Sequence, residues 1–107
     1  MLLLMDEPVF TGCLVAGRLI GVIEAKQTER DGATMRNDRL IALAAKSVTH
    51  RKLKSLTRLN PSILDELEHF FISYNKFKGK EFKPLGLFGP LRAQRLVKEG
   101  VNRFKSQ

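Results

Sequence analysis

The sequence holds a single cysteine, Cys13, so it has no internal disulfide and no cysteine-cluster zinc site. Cys13 stands in an apolar-alternating run and reads as a small buried hydrophobe. The chain fits a reducing cytoplasm. Histidine is scarce too: His50 and His69 are far apart, and no His-x-x-x-His pair exists. His69 is expected to cap or to pack beside Phe70. Gly86-x-x-Gly89 lacks the Lys-Ser/Thr of a P-loop. Ser47-Val48-Thr49 has no base or acid at useful spacing. Long apolar runs are missing. Met1-Leu2-Leu3-Leu4-Met5 is followed at once by Asp6 and Glu7; it lacks a basic n-region and is too short for a signal peptide or a membrane span. No membrane partner is expected. Acidic residues are few, 11 against 19 Lys and Arg, giving a net charge of +8 and a pI near 10.1. That imbalance points to anionic partners such as phosphates, nucleic acid or an acidic protein, or to a surface that Lys and Arg merely keep solvated.

What is present is a chain of 107 residues, 43% hydrophobic, read as a single domain over residues 1–107 with a modest core. Leu2 to Met5 reads as a short buried strand ended by Asp6-Glu7-Pro8. Cys13 to Ala25 is rich in Val, Ile and Leu and reads as one long strand or two short ones, bent at Gly17 and Gly21 as where a sheet curls into a barrel. Gln27 to Asn37 is polar and holds the turn dipeptide Asp31-Gly32. Arg39 to Ala44 is a further strand, expected to pair with Val22–Ala25 across that loop. His50 to Arg58 reads as loop or a short helical turn.

Asn60-Pro61 opens a helix, with Asn as cap and Pro at the first position. Asp65, Glu66 and Glu68 fall early in it, and Ile63, Leu64, Leu67, Phe70, Phe71 and Tyr74 hold one face. Gly79 lies past its end. Phe82 to Leu87 is another strand. Gly89-Pro90 starts a second helix, with Ala93, Leu96, Val97, Val101 and Phe104 as its buried stripe and Gly100 weakening its end. No repeat or low-complexity tract interrupts this order. Strands come first and helices second without βαβ alternation, an α+β pattern: a partial barrel followed by two C-terminal helices.

The stretch from His69 to Phe82 delivers a tyrosine and several lysines to one helix exit, the groups an anionic ligand needs. A second basic cluster, His50-Arg51-Lys52-Leu53-Lys54 with Arg58, admits nucleic-acid contact or plain solvation.

Four pieces of the chain resemble one family. Gly21-Val22-Ile23 resembles a "P-V/I-G-V" strand, and Asn37-Asp38-Arg39-Leu40-Ile41-Ala42-Leu43 resembles "D-x-K-L/V-I/V-A-V". His69-Phe70-Phe71-x-x-Tyr74 followed by Gly79-Lys80-x-Phe82 resembles "H-F-F-x-x-Y-K-x-L-E-x-G-K-W". Gly86, Gly89-Pro90 and Ala93 follow where the last helix of that family begins. The family is that of the family I soluble inorganic pyrophosphatases. The resemblance implies an OB-like β-barrel with helices outside, and hydrolysis of pyrophosphate to two phosphates. It also implies Mg²⁺ ions held by Asp and Glu, with Lys, Arg and Tyr binding the phosphates.

Carried over residue by residue, the resemblance makes Tyr74 the phosphate-binding tyrosine; its other reading is a core residue with its hydroxyl at the rim. The lysine that directly follows in the family is Asn75 here. Lys76, one position later, is the substitute, aimed differently, and Lys78 and Lys80 are expected to be solvated. Arg39 takes the place of the phosphate-binding lysine. The metal-binding aspartate two residues before it is then Asn37, with Asp38 one residue off, on the opposite strand face. Asp31, with Glu29 beside it, is the nearest match to the other metal-binding aspartate of this loop, and is otherwise a plain turn residue. The family's D-x-D-x-x-D cluster, placed before the strand that Leu2–Met5 resembles, has no counterpart. Asp6 and Glu7 follow that strand instead.

The expectation is therefore a C-terminal portion of such an enzyme. No catalytic residue is assigned. Arg39, Tyr74 and Lys76 would hold pyrophosphate or phosphate, Asp38 and Asp31 are the candidate Mg²⁺ ligands, and activity alone is little or none. A half-barrel leaves unpaired strand edges and exposed apolar surface, so a homo-oligomer is expected. The rival readings are a basic anion- or RNA-binding module and a partner that completes the barrel of a full-length homologue.

Overall fold

The computed structural model describes residues 2–4, 14–48 and 52–106. The expectations for Met5, Asp6, Glu7, Pro8, Cys13, Thr49, His50 and Arg51 fall outside these residues.

Branched aliphatic residues favour extended backbone, and they build the long strand β2, Gly17–Thr28. It continues three residues beyond Ala25, through Lys26, Gln27 and Thr28. These polar residues stay extended because both edges of the strand are paired there. Lys26, Gln27 and Thr28 face Arg36, Met35 and Thr34 of β3 (Thr34–Arg36) on one side. They face Lys83, Phe82 and Glu81 of β5 (Glu81–Phe88) on the other. β3 lies inside the stretch read from sequence as a polar loop. Its pairing is closed by a turn in which Glu29 N–H donates to Ala33 O at 2.8 Å.

Strand β4, Arg39–Ala44, runs antiparallel to β2 as expected, over Gly17 to Ile23, so that Val22 and Ile23 pair with it and Glu24 and Ala25 do not. The register is set by the turn: β3 already occupies the β2 edge beyond Ala25. Strand β1, Leu2–Leu4, pairs parallel with β4. β2 is thus the centre of a five-stranded sheet, with β1, β3 and β5 each paired on one side only among the described residues. Two bulges bend it. Ile20 is the extra residue between Leu19 and Gly21 against β4, and Leu85 of β5 is the extra residue opposite Glu24 and Ala25. Only the first falls beside one of the expected glycines. Gly21 is needed there because a Cβ would run into Phe88 O and the Cβ of Leu56.

Helix α1 spans Pro61–Phe77 and α2 spans Pro90–Lys105. Asn60 caps α1 as expected, its Oδ1 accepting from Ser62 N–H at 3.0 Å. A 3-10 turn, Leu56–Arg58, precedes it. The buried row of α1 is Leu67, Phe71 and Asn75, spaced by four. Phe70 and Tyr74, expected on the buried face, lie in the neighbouring row and are exposed.

Alternation gives β2 two buried faces. Ile20, Ile23, Ala25, Ile41 and Leu43 join Leu56, Leu59, Leu67, Phe71 and Phe82 in the main core under α1. Glu24 points to the other face, where Arg92 of α2 meets it. Within the stripe expected of α2, Ala93 is buried, Leu96 and Val97 are half-buried, and Val101 and Phe104 are exposed. The helix packs on β2 through its first turns, and the stripe runs past that support.

Candidate functional site

Arg39 opens β4, and the strand's period of two sets it on the face of Ile41 and Leu43. Those two are fully buried, so Arg39 stands where the main core meets solvent. Its guanidinium lies over the rings of Phe71 and Phe82, 5.3 and 5.5 Å from their centroids. Its Nη2 donates to Gln27 Oε1 at 3.3 Å. Its Nε is buried and has no hydrogen-bond partner among the described residues. No described carboxylate pairs with it. A half-buried cation without a counter-ion is unfavourable, and an incoming anion would relieve it.

Gln27 is the next residue of the row Ile23–Ala25, and it is buried. Its Oε1 accepts from Asn37 Nδ2 at 2.6 Å as well as from Arg39. Its Nε2 donates to Glu29 Oε1 at 2.9 Å, and Glu29 Oε2 pairs with Lys80 Nζ at 3.1 Å. Lys80 is therefore engaged rather than solvated. Sequence reasoning passed over Gln27. The available signal was alternation: a polar residue continuing a core row at a strand end.

Tyr74 ends the exposed row of α1. Its ring stacks on Phe70 at 5.9 Å, and Lys78 Nζ lies 4.4 Å from its centroid. Lys78, as donor and then as charge, holds the phenol below the usual tyrosine range, with smaller contributions from Arg39 and Lys80. Arg39, Lys78 and Lys80 thus all act on one hydroxyl. Lys78 is exposed, as expected, with its ammonium against the Tyr74 ring. Lys76 is exposed and lies about 200° around the helix from Tyr74. Asn75 turns inward, donating to Phe71 O at 2.7 Å.

This lysine array follows from how α1 ends. Gly79 adopts φ +75°, and Gly79 N–H and Lys80 N–H donate to Lys76 O and Asn75 O at 2.9 and 2.8 Å, a Schellman cap. Arg30, from the β2–β3 turn, donates through Nε to Lys78 O at 2.9 Å. The cap reverses the chain so that Lys78 lies on Tyr74 while Lys80 reaches Glu29.

The two candidate metal ligands stand elsewhere. Asp31 Oδ1 accepts from Ala33 N–H at 2.9 Å within the turn. Asp38 lies where the ladder passes from β3 to β4, and its Oδ1 takes the N–H of Ala25 at 3.0 Å. Arg36 holds both Asp38 oxygens, at 3.0 and 3.1 Å, and also Glu24 Oε1 at 2.6 Å. Arg92 completes this second cluster through Glu24 Oε2 at 2.6 Å. No group of three His, Cys, Asp or Glu side chains among the described residues is arranged to hold a metal ion. Of the second basic cluster, Lys52, Lys54 and Arg58 line one open cleft of about 520 Å³ with Leu53 and Ser55.

The chain is similar to known proteins over nearly all of its length. It is 32% identical over 104 residues to an inorganic pyrophosphatase of Nostoc sp., an alignment covering 97% of this chain and 59% of the relative. It is 32% identical over 105 residues to soluble inorganic pyrophosphatase 2 of Chlamydomonas reinhardtii, covering 97% of this chain and 52% of the relative. The chain thus spans between half and three-fifths of the length of these curated relatives. Its fold superposes on the solved inorganic pyrophosphatase of Helicobacter pylori with a TM-score of 0.81 at 25% identity, over 96% of this chain and 59% of that one. The partial barrel and its two helices are accordingly OB-like, as the resemblance implied. A family model described as inorganic pyrophosphatase matches residues 1–105, and the chain belongs to that family.

Proposed function

We propose that this chain provides the phosphate-binding side of a pyrophosphatase-type site. Arg39 and Tyr74 hold a phosphate group of pyrophosphate or phosphate. Lys78 takes the role expected of Lys76, because Lys78 lies against Tyr74 and Lys76 does not. The observation that carries this reading is Arg39, a half-buried guanidinium without a described carboxylate and with its buried Nε unpartnered among the described residues, while Lys78 lies against the Tyr74 ring. Oxyanions of phosphate match such donors in charge and geometry. On the same reading the 107-residue chain alone has little or no Mg²⁺-dependent pyrophosphatase activity, acts in the cytoplasm and works as a homo-oligomer.

Calorimetric titration with pyrophosphate at moderate salt tests this. Binding is expected, with Arg39→Ala and Tyr74→Phe each weakening it by about tenfold or more, as loss of one charged or polar anchor does. Lys78→Ala should weaken it more than Lys76→Ala. Unchanged affinity in Arg39→Ala, or near-enzyme rates of phosphate release with Mg²⁺, would overturn it. The cleft of Lys52, Lys54 and Arg58 supports the rival RNA-binding reading; that reading requires salt-dependent RNA affinity that survives Arg39→Ala.

A further inference from the structure

We infer that this chain grips its phosphate group without a divalent cation held by its described residues, because protein cations and donors engage the carboxylates near Arg39 and no three of them converge. The inference rests on the function proposed above and narrows its chemistry.

Mg²⁺ is small, demands near-octahedral oxygen ligands and is bound through carboxylates. The oxygens near Arg39 can be followed one by one. Glu29 gives one oxygen to Gln27 and the other to Lys80. Gln27 Oε1 has two lone pairs and accepts from two donors, Asn37 and Arg39. Asn37, in the place where the resemblance sets a metal-binding aspartate, uses its amide nitrogen on Gln27 and offers one neutral oxygen at most. Asp38 is held by Arg36 and the Ala25 N–H; Asp31 gives one oxygen to its own turn and has no second carboxylate of the set converging on its other one. These residues do not fit Mg²⁺.

Charge leads to the same result. Lys80 pairs with Glu29, Asp31 is the other carboxylate acting on Glu29, and Arg39 and Lys78 are cations with no described carboxylate partner. A divalent cation would add to an existing positive surplus, whereas a phosphate dianion would cancel it. The roles that metal ions play on phosphate oxygens elsewhere fall here to a guanidinium, an ammonium and a phenol. The ligand class is a phosphate dianion, inorganic or at the end of a larger molecule.

The test is titration of this chain with inorganic phosphate in two arms, excess EDTA and millimolar Mg²⁺. The inference expects affinities within about threefold of each other, too small a difference for real coupling between the ions. It also expects Gln27→Glu with Asn37→Asp, checked for folding by circular dichroism, to bind phosphate more tightly with Mg²⁺ than with EDTA. Binding seen only with Mg²⁺, or at least tenfold tighter with it, would overturn this inference and leave the proposed function standing. Absence of phosphate binding in both arms would overturn both.

Discussion

Glu24 supports two arginines on one carboxylate. Its side chain is 6% exposed, and Arg36 and Arg92 reach it from β3 and α2 at 2.6 Å each. Burial pushes its pKa up, but Arg92 and then Arg36 outweigh burial and hold the carboxyl below its ordinary 4.5. A depressed folded value fixes the sign of the pH effect. The stabilisation is complete above 4.5 and is lost as the pH falls through the lower folded value. Glu24→Gln should therefore destabilise the fold by roughly 2–3 kcal/mol at neutral pH, below the range for wholly buried pairs because both arginines are part-exposed. In urea titrations the gap between wild type and variant should shrink on acidification. An equal gap at neutral and acid pH would show that the ion pairs are not its source.

At the scale of elements, the exit of α1 sets the site. Gly79 sits in the left-handed region, and a Cβ there would press on the Arg30 guanidinium that docks on Lys78 O. Gly79→Ala should cost about 1–2 kcal/mol in thermal denaturation and weaken phosphate binding as well, since Lys78 and Lys80 hang from this turn. A loss of stability with affinity untouched would separate the cap from the site. This exit was legible in the sequence: the Asn60-Pro61 start, Gly79 and the Tyr74–Lys80 cluster are local signals. β3 was not. Thr34 to Arg36 carries no apolar alternation, and its strand form comes from pairing with β2. The row of α1 that is buried was misjudged for a related reason. Phe70 and Tyr74 are aromatic like Phe71, and it is the tertiary core, Phe82 included, that decides which row turns inward. Arg39 and Asn37 were legible as candidates. Their link through Gln27 was not, since it joins strands across ten and twelve residues.

The whole molecule leaves apolar groups outside. Phe77, Leu91 and Phe104 are 91%, 81% and 77% exposed, on two helices that flank the sheet. Such surface favours association, while the net charge of +8 opposes it at low salt. Light scattering at physiological salt should show a dimer or larger assembly, shifted toward monomer as salt is lowered. A monomer throughout would exclude self-association as the way these side chains are covered.

Two of the edge strands of the sheet give such an assembly a direction. β5 presents Lys83 and Pro84, and proline lacks the N–H that an added strand would bond. β1 is three leucines, paired on one side by β4 among the described residues. Stacking of β1 on β5 from copy to copy would repeat without limit and draw a filament. The proline and lysine act as a stop on that growth. β1 meeting the β1 of a second copy instead closes on itself after one step.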